Sequence, residues 1–507
     1  MVTEGGRIMK EWTREERSRI FDEADSSGIE QKSTQLLSSR WRSDFHVQPL
    51  YGLMNDPNGF AYYNGRWHLF YQWFPYGPVH GMKHWYHVSS EDLLHWQNEG
   101  LAMKPDVLFD NYGCYSGSGF VKDGDLYLAY TGNSRDYNYV RRQYQLLAKL
   151  GTDGKAKKLA GPLISPAEGY TEHQRDPKLF ELDGKYYILI GAQTDAEKGT
   201  FLLYASESIE EGWQLQGELK VRGYENFGDM VECPDLEKIG DTWVLLFSIQ
   251  DHGEGDRNLP NRFNNVYFTG QMDFANLEFI PDGPYRSLDC GFDFYAAQCG
   301  FDPAHPDCRV LSAWFGCPDN TWPATDEEGW SGLLTMPRVL TVENGKLMQR
   351  PAPSFEQLKG ELLFNAENGS IVSDTMHGLM PSTAVIRLDD PENESVELNL
   401  FTRPRKKGFE IRYDKNRKNL TVDRTDMINQ CNTDFGTVRT VHLENGLQSL
   451  EVYIDRSSAE IFVNDGEYVL SARIFPDAQE NLIRMGGRNI DLKIWKPKKT
   501  ADTEFVL

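Results

Sequence analysis

The sequence predicts an all-β protein: a five-bladed β-propeller followed by a C-terminal β-sandwich, with a short N-terminal helical segment. Three observations predict it. Beyond about residue 45 the chain is made of short aromatic and β-branched runs separated by Gly, Asp, Asn and Pro. One such unit recurs five times at a spacing near 60 residues, as the blades of a propeller do. The recurrence stops after Arg338, and shorter alternating strands take over. At 507 residues the chain is also too long for one ordinary core. The expected divisions are a helical segment over 1–45, a catalytic propeller over 46–345 and a sandwich over 346–507.

Residues 10 to about 40 mix acidic and basic side chains with few breakers and read as helical. The five units follow: "NGRWHLFYQW", "DGDLYLAYTG", "DGKYYILIGA", "IGDTWVLLFS" and "DCRVLSAWFG". In each, a turn ending in Gly65, Gly124, Gly184, Gly240 or Cys308 opens a strand, with spacings of 59, 60, 56 and 68 residues. The late Asn-Asp-Gly within "IFVNDGEYVL" marks a hairpin of the sandwich.

Each turn should close a hairpin, and the strand before it is read as the innermost of its blade. Four of those strands carry a distinctive polar residue eight or nine positions before the glycine: Asp56, Ser116, Asp176 and Glu232. The fifth carries Asp293 and Tyr295 in the corresponding region. Equivalent positions in a propeller lie at equal radius around one axis. Asp56, Asp176 and Glu232 should therefore converge at one end of the central channel. "MNDPNG" alone is a turn, but Glu232 in "ECPD" is no turn preference. Converging carboxylates suit glycoside hydrolysis, one as nucleophile or base and one as general acid. They could also hold calcium, which wants six to eight oxygens. Aromatics near the blade starts, among them Trp73, Trp85, Tyr115, Phe292, Tyr295 and Trp314, favour a sugar pocket, with no metal and no cofactor.

The formal net charge of −23 argues against nucleic-acid and anionic membrane partners. Seven scattered cysteines form no disulfide framework, and Cys299, Cys308 and Cys317, nine apart, read as small core residues. The charged first residues hold no apolar signal region, so the expected location is cytoplasmic. A monomer or a homodimer is expected.

The motifs "MNDPNG", "RDP" and "ECPD" resemble glycoside hydrolase family 32, the β-fructofuranosidases, which include invertases, levanases and sucrose-6-phosphate hydrolases. "YSGSG", "LDCGFDFYAAQ", "GWSGLLTMPR" and "IDRSSAEIFVNDGE" extend the likeness over roughly residues 40 to 500. The resemblance implies a five-bladed propeller and a sandwich. It implies Asp56 as the nucleophile on the anomeric carbon of a fructosyl unit, and Glu232 as general acid, then base. Asp176 would grip two fructose hydroxyls. Asn55, Gln72, Ser116 and Arg175 would line the fructose subsite, with Tyr295 and Trp314 as wall and hydrogen-bond partners. Neighbouring carboxylates are expected to raise the pKa of Glu232. Retention implies carboxyl groups of Asp56 and Glu232 about 5–5.5 Å apart.

The stretch "PVHGMKHWYH" departs from the Trp-Gly-Asn pattern of ordinary invertases. It puts His80 at the Trp position, with Lys83, His84 and Trp85 nearby. Two potential cations there suit a phosphate at the glucose 6 position, as in family members that act on sucrose 6-phosphate. The alternatives are a solvated loop with neutral sucrose or short fructo-oligosaccharides as substrate, fructosyl transfer to another sugar, and a carbohydrate-binding propeller without turnover.

Overall fold

The computed structural model describes residues 3–4, 7–8, 10–252, 259–371, 376–389 and 395–507. Five sheets, antiparallel apart from two short edge pairings, form the propeller. Their innermost strands are Gly52–Tyr63, Cys114–Lys122, Tyr170–Leu182, Met230–Ile239 and Tyr295–Gly300. Each packs against the innermost strand of the next blade, and the fifth packs back on the first. The hairpin turns Asn64-Gly65, Asp123-Gly124 and Asp183-Gly184 have positive φ at both positions. That is the turn type whose twist matches the flanking strands.

The ring is closed by two residues. Trp330 and Ser331, from the loop inside blade 5, pair in parallel with Gly52 and Leu53 at the edge of blade 1. Gly332 follows with φ +90°, and a Cβ there would stand 2.1 Å from the Met54 carbonyl oxygen. Only glycine allows that approach.

The sandwich has two antiparallel sheets that share the 16-residue strand Leu482–Pro497. Its first half pairs with Val396–Thr402 in one sheet, and its second half pairs with Thr383–Asp389 in the other. The two inner faces bury Ile386, Leu398, Val452, Ile461 and Leu492. The basic stretch 402–419 is a partly solvated face whose Lys406 and Lys407 meet Asp426 and Glu410.

The two domains are joined by a buried polar lock. Asp455 accepts from the backbone N–H groups of Asp44, Phe45 and His46 and from the His46 ring at 2.8 Å. Glu460 takes the other His46 nitrogen at 3.1 Å, the Met336 N–H and the Arg338 guanidinium at 2.7 Å. Asp293, expected near the site, belongs instead to this interface. It accepts from Arg424 and from the Arg473 N–H.

The N-terminal segment is less helical than expected. It forms two-residue strands at Thr3–Glu4 and Arg7–Ile8, a single turn α1 (Arg14–Arg17) and the helix α2 (Ser26–Leu36). α2 buries Ile29, Ser33 and Leu36, one face of a helix. The seven cysteines are free; Cys299 and Cys317 are core residues, whereas Cys308 is only half-buried. Among the described residues no helix is long and apolar enough to cross a membrane.

Candidate active site

Every innermost strand carries the same irregularity near its cleft end. Where Asn55-Asp56, Tyr115-Ser116, Asp176-Pro177, Cys233-Pro234 and Ala296-Ala297 stand, two residues oppose one on the neighbouring strand. A bulge of this kind breaks the alternation of side chains and re-aims them. Pro177 and Pro234 sit within two of the bulges, where the ladder hydrogen bond is already lost, and Pro57 directly follows a third. Asp176, Cys233 and Ala296 take positive φ (66°, 45° and 52°). Strained backbone of this sort persists only where the surroundings enforce it. The five bulges together turn Asp56, Ser116, Asp176, Glu232 and Tyr295 into one cleft of about 620 Å³ at the end of the channel. That volume suits a disaccharide-sized ligand.

Asp56 ends a chain of hydrogen bonds. Lys83 Nζ donates to Asn55 Oδ1 at 2.6 Å, Asn55 Nδ2 to Gln72 Oε1 at 2.6 Å, and Gln72 Nε2 to Ser116 Oγ at 2.7 Å. Ser116 Oγ then donates to Asp56 Oδ2 at 2.5 Å, and Asn55 Nδ2 also reaches Asp56 Oδ1 at 3.1 Å. The chain fixes the carboxylate's orientation with every member satisfied. Burial, with Glu232 adding like charge, raises the pKa of Asp56, and the Ser116, Lys83 and Asn55 contacts pull against the rise.

Asp176 takes the Cys233 N–H at 3.0 Å, and its own N–H donates to Thr131 Oγ1. Burial and the charges of Glu232 and Asp56 raise it to about 7 against the pull of Arg175. Glu232 behaves oppositely to expectation. Burial opposes its charge, but Arg175 reaches Oε1 at 2.7 and 3.2 Å and Tyr295 donates its hydroxyl to Oε2 at 2.5 Å. These contacts hold its carboxyl below the usual range. The three carboxylates titrate as a unit: desolvation favours a proton kept within the cluster, and the clasp on Glu232 favours the ionised form of that group.

Asn55, Gln72, His80, Lys83, Tyr115, Ser116, Arg175, Tyr295 and Trp314 all line the cleft. Trp85 does not. It is fully buried, and its indole N–H holds the Tyr115 carbonyl at 3.2 Å. His80 is exposed, but to the inside of the cleft. Crowding there and the Lys83 ammonium 2.9 Å away keep its ring neutral. Burial brings Lys83 itself down to about 7. His84 is buried and neutral: Nδ1 donates to the Met82 carbonyl, and Nε2 accepts the Phe21 N–H at 3.0 Å. The cation pair read from "PVHGMKH" is therefore one partly neutral lysine whose bonds point inward.

The sequence did not disclose the cleft mouth. Trp12, Arg14, Arg17 and Ser18 come to it from the N-terminal segment, and Arg141 comes from blade 2. The signal that could have found them is in the loop they dock on. A Cβ at Gly77 would strike the Trp12 ring at 2.2 Å, and one at Gly81 would lie 2.8 Å from the Arg17 carbonyl oxygen. Both glycines of "YGPVHG" make room for the segment.

Residues 46–351 match the model of the glycosyl hydrolases family 32 N-terminal domain, and residues 357–496 that of the family 32 C-terminal domain. The sucrose-6-phosphate hydrolase of Staphylococcus xylosus is 39% identical over 472 residues, covering 92% of this chain and 94% of that protein. The structure of the sucrose-6-phosphate hydrolase from Lactobacillus gasseri superposes with a TM-score of 0.89 at 33% identity, covering 97% of this chain and all of the other. A Bombyx mori GH32 β-fructofuranosidase in complex with sucrose gives 0.80 at 27% identity, over 95% of this chain and all of that one. With both domain models matched in order across the chain, the protein belongs to glycosyl hydrolase family 32.

Proposed function

We propose that the protein is a retaining β-fructofuranosidase that hydrolyses sucrose 6-phosphate. The observation that carries this is the charge of the cleft. Its floor holds three carboxylates, with Arg175 clasping Glu232, while Arg14, Arg17 and Arg141 line the mouth, in a protein of net charge −23. The floor suits a sugar that develops positive charge. The cationic mouth suits a leaving group that carries negative charge. The similar hydrolases of Staphylococcus xylosus and Lactobacillus gasseri support the same substrate.

Asp56 attacks the anomeric carbon of the fructosyl unit as Glu232 gives its proton to the bridging oxygen. Glucose 6-phosphate leaves, and a covalent fructosyl-enzyme remains. Glu232 then takes a proton from water, which attacks the same carbon and frees Asp56. Asp176 and Arg175 hold fructose hydroxyls. A hydroxyl donating to Asp176 favours its ionised form, and the added negative charge raises the proton affinity of Glu232. Substrate binding thus moves the cluster's proton to the acid that needs it. A phosphorylated substrate and seven free cysteines fit a cytoplasmic enzyme.

Steady-state kinetics on sucrose 6-phosphate, sucrose and 1-kestose test this reading. The expected kcat/KM is at least about tenfold higher for the phosphorylated sugar, about 1.4 kcal/mol of differential transition-state binding. Equal values, or a preference for kestose, would overturn it.

A further inference from the structure

We propose that the N-terminal segment around α1 is the phosphate grip of the substrate site, with Arg17 and Arg14 as its specificity-determining side chains. The inference rests on the proposed substrate. It replaces the His80–Lys83 pair, whose Lys83 Nζ is already bonded to His80 Nδ1 and to Asn55 Oδ1.

Local chemistry builds α1 for this task. Thr13 and Glu16 form a capping box: the Thr13 hydroxyl accepts the Glu16 N–H at 3.2 Å, and Glu16 accepts the Thr13 N–H at 2.9 Å. At the other end, the Ser18 N–H caps the Arg14 carbonyl. One fixed turn places residues three apart on one face. Arg14 and Arg17 share that face and both line the cleft. Glu16 turns away to Lys10 at 2.8 Å. Both arginines are exposed at the mouth, and among the described residues neither meets a carboxylate.

The turn is held to the propeller by contacts that aim it. The Met82 N–H donates to the Arg17 carbonyl at 2.7 Å. Ser18 Oγ meets the Tyr112 hydroxyl at 3.1 Å, and the Arg14 guanidinium lies over the Tyr139 ring at 3.6 Å. Trp12 fits the space left by Gly77 and stacks edge-on against Phe74. A segment with a purely packing role has no need to direct two guanidinium groups into a cleft. Planar guanidinium groups pair with phosphate through two parallel N–H···O bonds, the geometry a sugar phosphate offers.

The test compares the wild type, Arg17→Gln and the double variant Arg14→Gln/Arg17→Gln on sucrose 6-phosphate and sucrose. The readout is the ratio of the two kcat/KM values. The double variant should lower that ratio at least tenfold. Inhibition of sucrose cleavage by glucose 6-phosphate should weaken at least tenfold as well. A wild type that prefers the phosphorylated sugar and a folded double variant that keeps the preference would overturn this inference and leave the proposed substrate standing. A wild type without preference overturns both. If the double variant does not fold, Arg17→Gln and Arg17→Lys decide: the ratio should fall with Gln and be partly kept with Lys, and equal ratios for both would reject the grip.

Discussion

At the scale of single residues, the cleft separates two carboxylates by what touches them. Asp56 is bonded by the neutral donors Ser116 and Asn55; Glu232 is clasped by a guanidinium and a phenol. Asp56→Asn removes the proposed nucleophile and keeps one acceptor oxygen for Ser116, giving up the longer Asn55 contact. It should lower kcat by at least about 10³-fold with melting temperature unchanged. Tyr295→Phe deletes a hydrogen bond that favours ionised Glu232. Losing it raises that pKa, so the acid keeps its proton to higher pH. The alkaline limb of kcat/KM should move up by about one pH unit. A limb that stays in place would show that Tyr295 does not set the acid's proton affinity. The sequence motifs named the three carboxylates because turn chemistry cannot account for Glu232 in "ECPD". They misjudged its charge state because Arg175 sits 57 residues away in sequence, and only the packing of blade 3 on blade 4 brings the two to 2.7 Å.

At the scale of elements, the repeated bulge explains why five strands of unlike sequence deliver side chains to one place. In three blades its sequence trace is the proline after Asp56, Asp176 and Cys233; blade 2 was legible from Ser116 in "YSGSG" instead, and the "FYAAQ" strand offered less. Asp293 precedes that bulge and faces the other domain. The N-terminal segment was illegible for another reason. Its own pattern fits any amphipathic turn, and its position is decided by the space at Gly77 and Gly81, a trace that lies in the loop it docks on and not in the segment itself. Glycine carries weight at the ring closure too. Gly332→Ala would force a Cβ against the Met54 carbonyl at a backbone angle alanine resists. A loss of about 3 kcal/mol or more is expected, read as a lower urea midpoint. An unchanged midpoint would mean that the closing pair relaxes freely.

At the scale of the whole molecule, motifs that the chemistry does not use turn out to join the domains. "IDRSSAE" supplies Asp455 and Glu460, and "TMPR" supplies Met336 and Arg338. His46 sits between the two acids. Burial disfavours its charge, yet both carboxylates outweigh burial and raise its pKa to about 9. A raised pKa contributes stability that is complete below the unfolded value near 6.5 and is lost as pH climbs through about 9. The full effect is about 3 kcal/mol. Melting temperature should therefore fall between pH 6.5 and 9, and His46→Gln should flatten that fall while lowering stability at pH 6. An identical slope in the variant would remove His46 as its source. The closing pair also bears on how the chain is made. Trp330 and Gly52 meet across about 280 intervening residues, so during synthesis blade 1 emerges with its edge strand unpaired and waits for nearly the whole propeller to follow. Long-range pairings of this kind slow folding and leave open edges to other chains. A ribosome that stalls after blade 4 leaves a nascent chain with a bare strand, and such stalled chains are the ones expected to recruit chaperones or aggregate.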